Sequence, residues 1–369
     1  MSGVAAQKYQ SSANGTRTAA SLESWVCPRR WQHNSLLLPS ARQLQTAPAM
    51  TPGSKVSRRQ ASSAGFSVQA TGRWGMWEPN AKQAGPGLAA TGVGPQLKCD
   101  PPGRPAMPRT ISLNGLTLAA EEPPAPSRPP VVLIHGYFGG AWYFERYQRF
   151  LAERGHPTYV VNLRGHHGSR PVPDLGRACA RDYVADALEV ARWLGRPIVL
   201  GHSMGGLFAL KLAESDAVCA AVLLCPAPPR GIPIFSFRLA WRQLRYLAPL
   251  ILSRPLAPRP ADLDAVMFNR IPAAERPALY PQFVPDSGRV GRELSLLSLP
   301  IARHRVRCPV LVVTGTDDRF VVPRIARWIA RKYGAAYREY PGHGHFPQYE
   351  PGWERPIRDI AEWLEGATA

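Results

Sequence analysis

No uninterrupted apolar run in these 369 residues reaches the ~18 that a membrane-spanning helix needs, so no helical span is expected. The opening stretch, MSGVAAQKYQSSANG, lacks the apolar core of a secretory signal. Cysteine is sparse and unpatterned. Cys27, Cys99, Cys179, Cys219, Cys225 and Cys308 form no CxxC and no regular spacing, which argues against zinc ribbons, redox dithiols and a disulfide scaffold. Several sit in or beside apolar stretches, where a free thiol behaves as a small hydrophobe, and a reducing, cytoplasmic setting is expected. Acidic residues are few, 26 against 45 basic ones for a net charge of +19, and only 6 of the basic residues are lysine. Such a charge draws a chain toward nucleic acid or anionic lipid. No zinc-finger spacing or arginine-rich recognition helix is present, so nucleic acid is not expected as a partner. His166-His167 and the pair His343/His345 have no third ligand at metal-binding spacing, so neither a metal nor another cofactor is called for.

What is present changes character near residue 108. Residues 1–108 carry 12 basic against 3 acidic residues, nearly half the excess charge on less than a third of the chain. They show neither strand alternation nor helical periodicity, and such sequence cannot bury enough surface to offset its ordering entropy. They read as a disordered extension. An arginine- and serine-rich, acid-poor segment also has the composition of an organellar transit peptide, which would move the expected compartment to an organelle. Met107, just before the first strand-like run, supports a third reading, an extension upstream of the true start.

From 109 on, short β-branched runs alternate with amphipathic helical patterns. The runs are 131–134, 158–161, 198–200, 221–224 and 310–313, with a further strand expected at 335–340; the helical patterns lie near 143–154, 181–194, 204–214, 323–333 and 353–365. Continuous apolar strands alternating with helices predict a mostly parallel, doubly wound α/β sheet. Asn114-Gly115 between two short runs predicts an N-terminal hairpin. About 80 residues without a buried-strand signal separate 221–224 from 310–313. An insertion of that size is expected to be a helical cap over 232–305, leaving a core of 109–231 and 306–369. Its first helix, Phe235 to Leu252, would carry Arg238, Arg242 and Arg245 on one face and an apolar underside toward a pocket. A basic face of that kind could also rest on anionic lipid, as a peripheral membrane contact.

Gly201-His202-Ser203-Met204-Gly205 fits G-x-S-x-G between the run 198–200 and the helical stretch after it. That turn is tight enough to exclude side chains flanking the serine and to present its hydroxyl at the sheet's C-terminal edge. A serine hydroxyl needs a base to take its proton, and the base needs a carboxylate to orient it. Asp317-Asp318 follow the run 310–313, and His343 and His345 follow 335–340, both at strand ends where ligand chemistry collects. Spacing alone does not choose within either pair. An oxyanion requires two backbone N–H donors. Met204 supplies one; the loop His135-Gly136-Tyr137-Phe138-Gly139-Gly140 supplies the other, from Tyr137 or, as runner-up, Phe138. Phe138, Trp142 and His202 are candidate pocket residues. Trp142, with Tyr143 and Phe144, reads equally as core, and His202 as a group that packs or hydrogen-bonds locally. His135 is expected to hold the oxyanion loop in shape, and Cys225 to be a buried inert thiol.

Jointly, HGYFGG at 135–140, LRGHHGS at 163–169, GHSMGG at 201–206, GTDDRFVVP at 315–323 and GHFP at 344–347 closely resemble the α/β-hydrolase superfamily across about 109–369. GHSMGG is similar to the lysophospholipase and monoglyceride-lipase-like branch. The resemblance implies Ser203 as nucleophile, Asp318 as acid, His345 as base, and Tyr137 with Met204 as oxyanion donors. His167 departs from it, standing where the family pattern has glycine. The resulting expectation is a serine hydrolase cleaving carboxylic esters, lipid esters and thioesters included, with a small hydrophobic ester as substrate. An acyltransferase on the same groups, or a non-catalytic ligand-binding protein of this fold, are the readings set against it.

Overall fold

A computed structural model of the chain describes residues 108–232 and 244–368. The expected extension over 1–108 lies outside the described residues except for its last position.

Eight strands form one sheet in the order β1-β2-β4-β3-β5-β6-β7-β8. β1 (Arg109–Leu113) and β2 (Leu116–Glu121) make the expected hairpin. Asn114 and Gly115 at its turn have φ of 48° and 84°, the left-handed pair that a two-residue hairpin turn requires. β2 pairs antiparallel with β4 (Thr158–Asn162). From there β3 (Val131–Ile134), β5 (Ile198–His202), β6 (Ala220–Leu224), β7 (Val310–Gly315) and β8 (Ala336–Tyr340) run parallel.

The continuous apolar runs follow from burial on both faces. Val132 and Ile134 of β3 join one core layer, and Val131 and Leu133 the other. The first layer is closed by α2 (Ala180–Trp193), α3 (Met204–Leu212) and α4 (Pro323–Tyr333). The second is closed by α1 (Glu145–Ala152) and α5 (Glu354–Ala367), with Leu263, Met267 and Phe268 of the insertion. Each aliphatic side chain buried this way contributes about 1.5–3 kcal/mol before entropy is counted.

The insertion between β6 and β7 is built from short helices, at Pro260–Val266, Arg276–Leu279 and Gly288–Arg292. The long helix expected over 235–252 is not what its described part forms. Leu244–Tyr246 is a 3-10 turn and Leu247–Ile251 a five-residue helix. Pro249 is the reason: in a helix begun at 235 it would sit in the interior, without an N–H and against the carbonyl one turn back, whereas here it falls in the first turn. Arg238 and Arg242 lie outside the described residues, so the basic face is not described beyond Arg245. Among the described residues no helix is long and apolar enough to cross a membrane.

Candidate active site

Ser203 caps α3 with φ 54° and ψ −113°, a backbone conformation that L side chains rarely adopt. The surroundings hold it there. Its N–H donates to Leu224 O at 2.9 Å, and its own carbonyl accepts from Leu207 and Ala227 N–H. The flanking glycines are required by contact. A Cβ on Gly201 would lie 2.0 Å from Gly205 O, and one on Gly205 would lie 2.1 Å from Ile134 O. The turn therefore lifts the hydroxyl over the C-terminal ends of the parallel strands.

His345 comes to meet it. His345 Nε2 lies 3.1 Å from Ser203 Oγ, and Nδ1 lies 2.8 Å from Asp318 Oδ2. With Nδ1–H donating to the Asp318 carboxylate, the Nε2 lone pair faces the serine hydroxyl. Asp318 Oδ1 accepts Phe320 and Val321 N–H, both at 2.8 Å, so the acid is itself held. The alternatives left open by spacing separate in space. Asp317 faces Arg270 at the surface, and His343 lies 3.2 Å from Glu350.

Glu350 is a residue the sequence reading missed. It is fully buried, and it accepts N–H from Gly344 at 2.7 Å and Phe346 at 3.1 Å, the residues on either side of His345. Nothing in the local sequence marks it, because the groups it holds beside His345 are backbone N–H groups. Cys225 also approaches: its Sγ, an Asp318 oxygen and a His345 nitrogen all lie within 4.8 Å of one another. Burial, then the Asp318 charge, push its thiol well above the usual cysteine range. It stays protonated, a poor metal ligand.

The loop after β3 brings two peptides to the serine. His135 is buried and neutral, its pKa lowered to about 3 by burial and then by the charge of His166. Leu163 N–H donates to its Nε2 at 3.2 Å, and its Nδ1–H donates to Gly136 O at 2.8 Å. Gly139 N–H donates to the same carbonyl. The peptide whose N–H belongs to Tyr137 is thus fixed through its oxygen. Phe138, the runner-up donor, is corrected by the structure: its N–H donates to Asp286 Oδ2 at 2.9 Å and is not free for a ligand. Met204 is the first residue of α3, where N–H groups have no intrahelical acceptor.

Ser203, His345, Tyr137, Phe138, His202 and Met204 line one cavity of about 150 Å³, roughly ten times the space one ordered water needs. The insertion closes it with mainly apolar side chains, Leu250, Leu256, Leu263, Met267 and Leu294 among them. His202 donates Nε2–H to His345 O at 2.8 Å and so ties the serine turn to the histidine loop. Burial and the neighbouring His345 hold its pKa well below normal, hence neutral. Trp142 is not among the lining residues. It packs in an aromatic cluster with Tyr143, Phe283 and Phe346, so its place is core, for which its size and neighbours suit it better.

The core's parallel sheet, the serine corner over it and the helical insertion define an α/β-hydrolase-type architecture. The chain belongs to the alpha/beta hydrolase family, whose sequence profile matches residues 131–363. It is 30% identical over 107 residues to a Saccharomyces cerevisiae protein provisionally named an alcohol acetyltransferase; that match covers 27% of this chain and only 30% of the relative. It is 27% identical over 237 residues to a Klebsiella pneumoniae protein provisionally named carbamate hydrolase RutD, covering 60% of this chain and 86% of the relative. An sn-1-specific diacylglycerol lipase of Xenopus laevis is 26% identical over 240 residues, 59% of this chain and 74% of the relative. Among solved structures, a soluble variant of the S. cerevisiae monoglyceride lipase superposes with a TM-score of 0.58 at 17% identity, over 72% of this chain and 97% of that one. At that identity the likeness speaks for the fold.

Proposed function

We propose that this chain hydrolyses carboxylic esters with a hydrophobic acyl part, through an acyl-enzyme on Ser203. The observation that carries this is the hydrogen-bonded array from Asp318 through His345 to Ser203 Oγ, ending at an apolar cavity. As the serine oxygen attacks the carbonyl carbon, His345 Nε2 takes its proton. The developing imidazolium is stabilised by Asp318. Charge passes to the former carbonyl oxygen, which Tyr137 and Met204 N–H receive. His345 then gives its proton to the departing alcohol. Water, deprotonated by the same histidine, cleaves the acyl-serine by the reverse path.

The insertion acts as a cap. Tyr246, Leu250 and Leu294 face the cavity, while Leu244, Ile251, Leu252 and Leu296 of the same segments are exposed on the outside. An apolar outer surface beside an apolar cavity suits an ester taken from a lipid surface, with the cap as a peripheral contact. The test is a burst of p-nitrophenolate from a short- or medium-chain p-nitrophenyl ester, lost in Ser203→Ala. An unchanged rate in that variant overturns the reading. The likeness to the acetyltransferase-named relative supports a second reading, transfer of the acyl group to an alcohol in place of water. Added alcohol acceptors separate the two, since transfer yields a new ester.

A further inference from the structure

Asp286 belongs to the insertion, and it is fully buried. Four donors converge on its carboxylate. Tyr183 O–H at 2.7 Å and Ser287 N–H at 2.6 Å reach Oδ1. Phe138 N–H at 2.9 Å reaches Oδ2, and His166 Nε2 lies 3.1 Å from the same oxygen. His166 Nδ1 lies 3.0 Å from Arg164 O, so both ring nitrogens face acceptor oxygens. In the sequence, Pro285-Asp286-Ser287-Gly288 reads only as turn chemistry, and Ser287 does cap the short helix that follows.

The Phe138 contact is the one that reaches the cavity. Phe138 has φ 67°, a left-handed conformation that a bulky residue leaves unless held. Two bonds from the insertion hold it: Asp286 takes its N–H, and Val284 N–H donates to its carbonyl at 3.1 Å. The other end of the same peptide, Tyr137 O, accepts Tyr143 O–H at 3.1 Å. Tyr137 O–H in turn donates to Ser287 O. Tyr137 is therefore clamped between a peptide fixed by His135 and a peptide fixed by Asp286. If Asp286 let go, the Phe138 peptide would be held only through its oxygen by Tyr143, its N–H could turn away, and the direction of Tyr137 N–H would shift with it.

We infer that Asp286 is a positioning residue for the oxyanion donor, supplied by the insertion to a loop of the core. This rests on the ester-hydrolase reading of the cavity. It makes the aim of Tyr137 N–H conditional on the insertion being seated. Asn is no substitute for Asp286, because its single acceptor oxygen would turn an NH2 toward at least one of the four donors.

The experiment compares wild type, Asp286→Asn and Tyr183→Phe on a p-nitrophenyl ester, with rates per active site titrated by a fluorophosphonate. For Asp286→Asn, kcat is expected to fall about 100-fold, the lower end for loss of one oxyanion donor, with KM within about twofold. Tyr183→Phe, which removes a donor from the other oxygen, is expected to lower Tm while leaving kcat per site within about threefold. An Asp286→Asn enzyme with wild-type kcat per site overturns the inference, whatever its Tm. Should that variant fail to fold, the wild-type Phe138 amide proton decides by NMR: shifted downfield and slow to exchange if bonded to the carboxylate, and the inference falls if it exchanges freely. A wild type that neither turns over esters nor labels at Ser203 sinks the reaction reading instead.

Discussion

Two buried aspartate–histidine pairs lie among the described residues, and they differ in what is left over. In the first, Asp318 and His345, the carboxylate's partners are two backbone N–H groups and one ring nitrogen, and the second ring nitrogen reaches only a serine hydroxyl at a cavity wall. In the second, Asp286 and His166, each polar atom of the ring faces an acceptor and each carboxylate oxygen has two donors. On the proposed ester-hydrolase reading, the same two side chains make a proton relay in one setting and a fixed joint in the other. The difference lies in what the second ring nitrogen faces: for His345 a serine hydroxyl that has a proton to give, for His166 only oxygens that accept. Burial does not distinguish them, since all four residues are buried.

That comparison is broken most sharply by rate. Asp318→Asn is expected to lower kcat on the order of 10⁴-fold, because the amide favours the wrong tautomer of His345. Its Tm should change little, and a loss under tenfold in steady-state assays would put Asp318 outside the relay. His166→Gln should do the reverse. Removing one partner of a buried ion pair costs about 3–5 kcal/mol, which thermal unfolding reads as a Tm drop of roughly 2–4 °C per kcal/mol. Its kcat per titrated site should fall far less than that of Asp318→Asn. Equal Tm for the variant and wild type would mean that His166 is not paired as a cation.

Glu350 lies between the two cases, since it touches the array only through the peptides beside His345. Glu350→Gln keeps one acceptor and loses a charge, so a stability loss of about 1.5–3 kcal/mol is expected, with a smaller fall in kcat than for Asp318→Asn. A denaturant titration together with kcat checks both. Why Ser203 could be named from its turn, and the acid and base narrowed to Asp317/Asp318 and His343/His345 before the family resemblance chose Asp318 and His345, while Glu350 and Asp286 could not be found is a matter of what each bonds. The first group sits at strand ends in turns that demand particular residues, and a glycine forced by a 2.0 Å clash leaves a mark in the sequence. Glu350 and Asp286 satisfy backbone N–H groups contributed by other segments, Phe138 being 148 positions away. Such contacts ask only for a carboxylate in the right place. The central parallel strands were legible for the same local reason, each being apolar on both faces. The described part of 235–252 was misjudged because amphipathic spacing outweighed one proline. Trp142 was ambiguous because an aromatic residue suits a pocket and a core equally until its neighbours are known.

The smallest expected effect is in pH, and it separates the imidazoles by sign. Burial lowers the pKa of His166, but the Asp286 charge and the hydrogen bonds outweigh it, and the net shift is upward from 6.5. Asp286 is drawn upward by burial and further downward by His166 and its donors, ending below 3.8. The His166 contribution is therefore complete below about pH 6.5 and is lost as pH rises through its folded value, where the unfolded chain has already released the proton. The Asp286 contribution is complete above its unfolded value and is lost as pH falls through the lowered one. His135 has the opposite sense to His166: it stays neutral down to about pH 3, so the unfolded chain gains a proton first, and stability declines as pH falls below 6.5. Each titrating group contributes a slope of at most about 1.4 kcal/mol per pH unit. Urea unfolding from pH 5 to 8, below the range where the raised Cys225 thiol would contribute, should give a maximum near neutrality with an alkaline limb that disappears in His166→Gln. An alkaline limb that persists unchanged in that variant would assign the proton elsewhere and leave the sealed pair uncharged.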